Sequence, residues 1–321
     1  MGSSTGLFLS GCGTMKSPPT SKVEQLSIYA AGQGSAFLPY AQGLAGFLTS
    51  SGLKSAALES TGSIENIRKI EGDKPDAKNA VLGTVFLGTA FEAVTGTGSW
   101  TAGHKHSNLR ALFPMYETSF QIVTIAPGLN NLKSIASKRV GVGPAGGPAE
   151  SFFKGLLEAI GLNAQIVTGT PTALANDLTA GRIDALWQGA ALPIPAIKQI
   201  TDAGTATVFG LSEDELTAML KRFAFLSPAT ITANTYQGQN TPLKSVAAWN
   251  FVMCHKDLTE DDAYFITRTV LSVKDPELIH TSALPTRKEN AINNSTIPFH
   301  TGALKFYAQQ GIVLTRAHPI G

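Results

Sequence analysis

The sequence repeats one local arrangement three times: a short apolar strand, a glycine-containing turn, and a helix that follows at once. In the clearest copy, residues 139–147 predict the strand and its turn, and residues 148–160 predict an amphipathic helix that Gly161 ends as a C-cap. The other two turns span residues 32–37 and 61–66. Strands that alternate with helices in this way predict a parallel sheet with helices on its faces.

A glycine turn at a helix start leaves backbone N–H groups free beside the positive end of the helix dipole, which favours a bound anion. Gly141, Gly143 and Gly146 also match the G-x-G-x-x-G fingerprint of dinucleotide-binding proteins. That fingerprint requires an acidic residue at the end of the next strand, and residues 165–168 end without one. We therefore expect a small-anion site at this turn. The alternative, glycines that merely allow a tight turn, stays open.

The composition is that of an ordinary globular protein. The chain has 321 residues, of which 43% are hydrophobic and 15% charged, and this length suggests two domains. A net charge of +2 without a long run of one sign gives no indication of nucleic-acid binding. His104 and His106 stand in a polar loop without a third ligand nearby, so we expect no metal site there. We also expect no cofactor, and Cys254 is expected to be a small buried residue.

The amino terminus contains a pattern that resembles a lipid-attachment signal. Residues 9–12 have the form of a bacterial lipobox, in which Cys12 becomes lipidated after cleavage, and we interpret residues 1–24 as lipobox and flexible tether. A signal peptide has a basic n-region and a longer apolar core than residues 1–11 provide. A start upstream of Met1, a shortened chain or a chance tetrapeptide would each explain this. Lipidation would anchor the protein to a membrane on its extracytoplasmic side.

Further along the chain the pattern predicts more strands and helices. Residues 84–94 predict a helix, and residues 109–113 and 119–125 predict two strands. Residues 182–187 predict a strand that ends before a glycine. The last helix is predicted at residues 304–310, with His300 expected to cap or pack it.

The order of these elements predicts two α/β domains around a central cleft. Residues 119–125 would carry the chain into the second domain, and an extended stretch at 230–236 would carry it back. Domain I would comprise residues 25–118 and 235–321, and domain II residues 119–234. Two domains joined by crossing strands can close over a ligand by hinge motion.

No catalytic set accompanies this cleft. The serines of the glycine turns, Ser35 and Ser63, lack a G-x-S-x-G context, and no motif places a nucleophile beside a base or pairs two carboxylates. Helix starts that converge on one cleft would instead bind a carboxylate through backbone N–H groups and hydroxyls. We therefore expect a binding protein with no catalytic residues, and an enzyme that acts on a small carboxylate is the rival hypothesis.

Several segments, taken together, resemble the TAXI solute receptors of tripartite ATP-independent periplasmic (TRAP) transporters. The resemblance covers residues 26–311, and its marks are Gly32-x-Gly34 and residues 61–67, 138–146, 180–185, 235–236 and 300–303. It implies a type II periplasmic-binding fold. It also implies a periplasmic receptor that captures a small organic acid and delivers it to integral membrane permease subunits. An ATP-driven (ABC-type) importer with the same receptor fold is the alternative partner.

The chain departs from the family pattern near the expected site. Gly147 and Pro148 stand where the family usually has hydroxyl residues, and Phe37 and Thr84 stand near positions that often hold tyrosine and glutamine. Glutamate is therefore not assigned as the ligand. The candidate ligand-binding residues are Gly34, Ser35, Phe37, Thr61, Ser63, Thr84, Pro144, Gly146, Gly147, Trp187 and Gln188. A helix cap is the competing role for Ser63, and core packing is the competing role for Phe37 and Trp187.

Overall fold

A computed structural model of the chain describes residues 21–32, 35–76, 78–204, 206–294 and 296–314. Cys12 and Gly34, two residues singled out from the sequence, lie outside these described residues. The described part of the chain forms a ten-stranded mixed sheet that carries α-helices on both faces. Among the described residues, no helix combines the length and the apolar character that crossing a bilayer requires.

The first half of the sheet contains three parallel strands, each followed by a helix: β1 (Gln25–Tyr29), α1 (Phe37–Ser50), β2 (Ser55–Leu58), α2 (Ser63–Gly72), β3 (Asn79–Phe86) and α3 (Leu87–Thr95). β1 lies between β2 and β3 and pairs with both in parallel. The apolar side of α1, which includes Leu44 and Leu48, is fully buried. The predicted alternation of strand and helix is confirmed here.

The second half repeats the arrangement: β4 (Leu109–Thr124), β5 (Arg139–Gly141), α4 (Pro148–Ile160), β6 (Gln165–Val167), α5 (Pro171–Thr179), β7 (Ala185–Ala190), α6 (Pro195–Thr201), β8 (Thr207–Phe209), α7 (Glu213–Arg222) and β9 (Ser227–Ile231). β5 lies between β6 and β7 and is parallel to both. α4 and α7 pack together over one face of this half. α5 and α6 cover the other face around a separate apolar cluster that includes Leu174 and Ile197.

The chain ends with the long strand β10 (Leu243–His255), followed by α8 (Glu260–Leu271) and α9 (Thr301–Gln309). β10 and β4 are the two strands that run through both halves, in the sheet order β2-β1-β3-β10-β4-β7-β5-β6. Residues 250–254 of β10 pair with β3, whereas residues 243–247 pair with β9. Two long strands thus cross from one half of the sheet to the other.

Three expectations about these elements are wrong in detail. Residues 109–124 form the single strand β4 rather than two strands, because Pro114 sits at a bulge in the pairing with β10 and the strand continues beyond it. Residues 84–86 belong to β3 rather than to a helix, because they pair with β10. Residues 182–184 form a turn held by the Asp177 carbonyl, so that β7 starts at Ala185 and runs through Gly189.

The last helix starts earlier than the sequence predicts. α9 begins at Thr301, and the ring of His300 accepts a hydrogen bond from the Gly302 N–H at 3.2 Å. The expectation that His300 caps or packs this helix is confirmed. Cys254 is completely buried among apolar residues, as expected, and burial raises the pKa of its thiol.

Candidate functional site

The carboxyl ends of the parallel strands in the two halves face each other. β3 and β4 are both antiparallel to β10 and therefore run in the same direction, whereas β7 is antiparallel to β4 and points back toward β3. β3 ends with Phe86 opposite Asn250, and β7 ends with Ala190 opposite Ser119. In open α/β sheets, ligands bind outside the carboxyl ends of the strands. We call residues 116–119 and 247–250 of the two long strands the central crossing, and the candidate site lies around it.

The register assigns the side chains at the central crossing to two faces. Residues directly opposite each other in an antiparallel pair share a face, and successive residues of a strand alternate between faces. Phe120 and Trp187 lie on the face that α4 covers, which we call the aromatic face. Glu117, Gln121 and Gln188 lie on the opposite face, which we call the amide face.

Phenylalanine rings bring the two halves into contact on the aromatic face. The ring centroid of Phe86, at the end of β3, lies 5.5 Å from that of Phe152 in α4. It also lies 6.3 Å from that of Phe225 and 6.4 Å from that of Phe120. These rings are almost completely buried. The helical stripe of α4 indicated Phe152, but the contact with Phe86 depends on folding and could not be read from either segment alone.

Trp187 is part of this aromatic packing. It is fully buried, its ring stacks on Phe120 with centroids 5.4 Å apart and an interplanar angle of 13°, and it also contacts Phe153. Its indole Nε1 has no hydrogen-bond partner. These contacts fit the core-packing role that the sequence left open. A contact with ligand stays a prediction for this residue.

Near the amino end of α1, the predicted residue Phe37 contacts Tyr116, which sequence reasoning missed, as it missed the nearby Asn250. The Phe37 ring lies 6.2 Å from that of Tyr116 in β4, and Ser35 Oγ accepts the Phe37 N–H at 3.1 Å. The Tyr116 hydroxyl and Asn250 Oδ1 are buried without hydrogen-bond partners, and burial raises the pKa of Tyr116. Polar residues inside otherwise apolar strands were the signal that could have identified them.

The second glycine turn is tied into the fold by its own side chains. The N–H and the hydroxyl of Thr61 donate to the Glu65 carboxylate at 2.8 and 2.9 Å, which holds the pKa of Glu65 below its usual value. Ser63 does not cap α2: its hydroxyl accepts the Phe86 N–H at 3.0 Å. Thr84 is fully buried in β3. A role for these three predicted residues in ligand binding stays a prediction.

The N–H groups of the third turn are also engaged. The Gly146 N–H donates to the Glu150 carboxylate at 2.6 Å, and the Gly147 N–H donates to the Pro144 carbonyl at 3.0 Å. Lys154 and the Gly146 N–H both lower the pKa of Glu150. A ligand carboxylate at this turn would therefore have to replace the carboxylate of Glu150. The first-turn N–H groups of α4, which by geometry have no intrahelical acceptor, remain as donors.

The amide face holds a pair of buried glutamine side chains. Gln121 is 1% exposed and Gln188 is 5% exposed, and the two stand directly opposite each other in the pairing of β4 with β7. Both side-chain polar atoms of Gln121, and Oε1 of Gln188, lack a hydrogen-bond partner. The third glycine turn is adjacent, since a Cβ placed on Gly143 would lie 3.5 Å from Nε2 of Gln188. Gln188 was predicted from the sequence, and Gln121 was missed.

The described residues contain no cluster of three or more His, Cys, Asp or Glu side chains that could hold a metal ion. The His104 and His106 rings lie edge to face in their loop, with centroids 5.0 Å apart. Two surface cavities of about 380 and 390 Å³ lie beside Arg287 and beside Lys154, away from the carboxyl ends of the strands. The central crossing therefore remains the candidate site.

Comparison with known proteins agrees with this architecture. The model of the NMT1-like family matches residues 28–311. The chain is similar to a solved structure described as a periplasmic transporter, at 13% identity and a TM-score of 0.54, over 90% of this chain and 92% of that one. A TctC solute binding protein from Polaromonas matches at 12% identity and a TM-score of 0.53, over 89% and 93% of the two chains.

MatC from Rhodopseudomonas palustris, solved with bound malate, matches at 12% identity and a TM-score of 0.53, over 90% of this chain and 96% of that one. A further R. palustris protein, solved with adipate, matches at 16% identity and a TM-score of 0.51, over 79% and 85%. At these identities the likeness shows the fold, which is that of periplasmic binding proteins. The predicted fold class is confirmed.

Proposed function

Since the chain belongs to the NMT1-like family, we propose that it is an extracytoplasmic solute-binding receptor that captures a small organic acid. The observation that carries this proposal is the set of buried, unpartnered polar atoms around the central crossing: the Tyr116 hydroxyl, Asn250 Oδ1 and the Gln121–Gln188 amides. Each buried polar group without a hydrogen-bond partner lowers the free energy of unfolding by roughly 1–3 kcal/mol. A ligand that forms hydrogen bonds with these atoms would satisfy them.

The chemistry of the ligand and the identity of the partner are the finer parts of the proposal. The first-turn N–H groups of α4 are free to bind a carboxylate, and two proteins of the same fold were solved with the carboxylates adipate and malate. We propose that the membrane partner is formed by the permease subunits of a TRAP-type transporter. We place the receptor in the periplasm or on the outer face of the cytoplasmic membrane. A neighbouring gene for a large multi-span permease would support this partner, whereas a neighbouring ATPase gene would favour an ABC-type importer.

A panel of small organic acids tests the function. At a concentration one hundred times its dissociation constant, a bound acid stabilises the folded state by about 2.7 kcal/mol. We therefore expect at least one acid to raise the melting temperature by several degrees, and the same acid to be recovered unchanged after long incubation. Steady formation of a product from the bound acid would establish an enzyme instead. A panel without any thermal shift would contradict the proposed ligand class.

Attachment to the membrane is proposed through Cys12, which lies outside the described residues. We expect mass spectrometry of the native protein to find diacylglycerol on this cysteine, and the protein to sediment with membranes. A Cys12→Ala variant is the control, and it should be released into the soluble fraction with unchanged acid binding. An unmodified thiol at Cys12 in the native protein would contradict lipid anchoring and leave the receptor free in the periplasm.

A further inference from the structure

We propose that Gln121 and Gln188 form a subsite for an uncharged polar group of the solute, such as a hydroxyl or a carboxamide. This inference rests on the proposed function and adds to it the chemistry of one end of the ligand. The two side chains stand opposite each other on β4 and β7, at the carboxyl end of β7 and beside the glycine turn that follows β5. They are therefore placed where an α/β sheet binds its ligand.

Burial makes this pair unlike ordinary surface glutamines. Gln121 and Gln188 are at least nine-tenths buried, yet three of their four side-chain polar atoms lack a hydrogen-bond partner. Burial raises the pKa of Tyr236, and the Gln121 side chain lowers it as a hydrogen-bonding neighbour of the Tyr236 hydroxyl. The contact between Gln121 and Tyr236 nevertheless falls short of normal hydrogen-bond geometry, so it does not satisfy the amide. A buried amide that the protein leaves unsatisfied lowers stability, and a bound group can supply the missing partners.

Gln239 shows what a purely structural glutamine looks like in the same half of the molecule. It is also buried, at 6% exposed. Its Nε2 donates to the Thr232 and Thr241 carbonyls at 3.0 and 2.7 Å, and its Oε1 accepts the Tyr236 N–H at 3.4 Å. The fold can therefore satisfy a buried amide completely where its role is structural. The contrast favours a binding role for the Gln121–Gln188 pair and supplies a matched control.

The charge of the surroundings argues that the bound group is neutral. Glu117 lies on the same face of β4, and its carboxylate accepts a hydrogen bond from the Ser119 hydroxyl at 3.4 Å. Trp249 stands directly opposite Glu117 on β10. Burial raises the pKa of Glu117, because these neighbours do not compensate its charge. Glu117 lies four residues from Gln121, about 13 Å along β4, and its carboxylate would repel an anionic group bound at the Gln121–Gln188 pair but not a neutral one.

The donors and acceptors that the two glutamines leave free limit further which chemical groups can bind there. The free atoms comprise the NH₂ donor of Gln121 and the carbonyl acceptors of both glutamines. A hydroxyl or a carboxamide can donate to these acceptors and accept from this donor. A carboxylate can only accept, and it would leave both carbonyls unsatisfied. In this arrangement the helix starts bind the carboxylate of the solute, and the Gln121–Gln188 pair binds its uncharged polar group.

The test compares Gln121→Met and Gln188→Met with the control Gln239→Met, using malate, succinate and succinamate as probes. Methionine conserves side-chain volume while it removes the amide. The wild-type protein should bind malate or succinamate about tenfold more tightly than succinate, as expected when a polar group satisfies buried partners. Gln121→Met and Gln188→Met should remove that preference, keep succinate binding, and melt at or above the wild-type temperature without ligand. Gln239→Met should melt lower and keep the preference.

Results that contradict the subsite can be distinguished from results that contradict the proposed function. If the wild-type protein binds the acids but both Met variants keep the wild-type preference, the subsite is wrong while the proposed function stands. If Gln121→Met and Gln188→Met melt as low as Gln239→Met or fail to fold, the pair is structural and the inference is overturned. If the wild-type protein binds none of the three acids nor any of the wider panel, the proposed function fails and the subsite fails with it.

Discussion

Replacing Gly88 with valine is expected to lower the free energy of unfolding by about 3 kcal/mol, because the two halves of the sheet meet at this residue. Gly88 lies in the first turn of α3. A Cβ at this position would come within 2.6 Å of the Phe86 ring, 2.7 Å of the Phe225 ring and 2.8 Å of the Phe152 ring. All three rings are buried, so they cannot move aside without opening the aromatic face. Overpacking can therefore be relieved only by strain or by moving the halves apart.

Thermal melts and small-angle scattering together measure this effect. A loss of about 3 kcal/mol lowers the melting temperature by roughly 6–12 °C in a protein somewhat smaller than this one, and separated halves raise the radius of gyration. Gly46→Val is the matched control, since Gly46 is an exposed residue of α1 with no atom within 4 Å of the added Cβ. Its expected change is below about 0.5 kcal/mol. Equal melting temperatures for the two variants would contradict the close contact at Gly88.

Local sequence signals predicted the elements well, because each strand, turn and helix start depends on neighbouring residues. The turn before α4 and its C-cap at Gly161 are examples. The continuity of β4 could not be predicted in the same way. Pro114 and the polar residues 117–119 look like a break, and pairing with β10, more than 120 residues later, holds the strand together across them. Hydrogen bonds between distant strands thus override the local pattern.

The residues of the candidate site also differ in whether local sequence could predict them. Phe37 and Gln188 were predicted because they follow a turn and end a strand, which are local features. Gln121, Tyr116 and Asn250 were missed, because their place beside the predicted residues depends on the register between strands. Asn250, for example, donates to the Tyr116 carbonyl at 2.8 Å across 134 residues of sequence. No spacing within either strand indicates that contact.

The glycine turns show a different limit of prediction from the sequence. The glycine spacing predicted free N–H groups at the third turn, but Glu150 lies four residues after Gly146 and its carboxylate reaches the Gly146 N–H. Glu65 stands in the same relation to Thr61. An acidic residue in the first turn of a helix can reach back to N–H groups that precede the helix, as in a capping box. These two glutamates were therefore the sequence signal that each turn is partly filled by the chain itself.

Replacing Asp262 with asparagine is the second substitution with a large expected effect. Asp262 lies in the first turn of α8 and is 2% exposed. Its carboxylate accepts the Ser21 hydroxyl at 2.8 Å and the Lys22 and Val23 N–H groups at 2.6 and 3.3 Å, together with the Thr259 hydroxyl. Hydrogen bonds to a charged group contribute roughly 1.5–3 kcal/mol each, and asparagine presents one acceptor oxygen in place of two. We expect a loss of about 3 kcal/mol.

The position of these bonds connects them to the proposed anchor. Residues 21–23 join the described fold to the segment that contains Cys12, so that Asp262 fixes the point at which the tether leaves the protein. In Asp262→Asn we expect residues 21–23 to exchange their amide hydrogens faster than β1 does. Asp261→Asn is the matched control, because the side chain of Asp261 is half exposed on the same turn and its ion-pair distance to Lys305 is 3.9 Å. Its expected change is below about 0.5 kcal/mol.

The pH dependence separates the charge of Asp262 from its shape. Burial alone would raise the pKa of this carboxyl, but the hydrogen bonds from Thr259, Lys22, Ser21 and Val23 outweigh burial and hold it below the usual value. A carboxyl with a lowered pKa stabilises the folded state fully above its unfolded pKa of about 3.9, and that contribution is lost as the pH falls through the folded pKa. The stability difference between the wild type and Asp262→Asn should therefore be constant from pH 7 to about pH 5 and shrink below about pH 4. Denaturant titrations across this range measure it, and a difference that stays the same at pH 3 would show that the network does not depend on the charge.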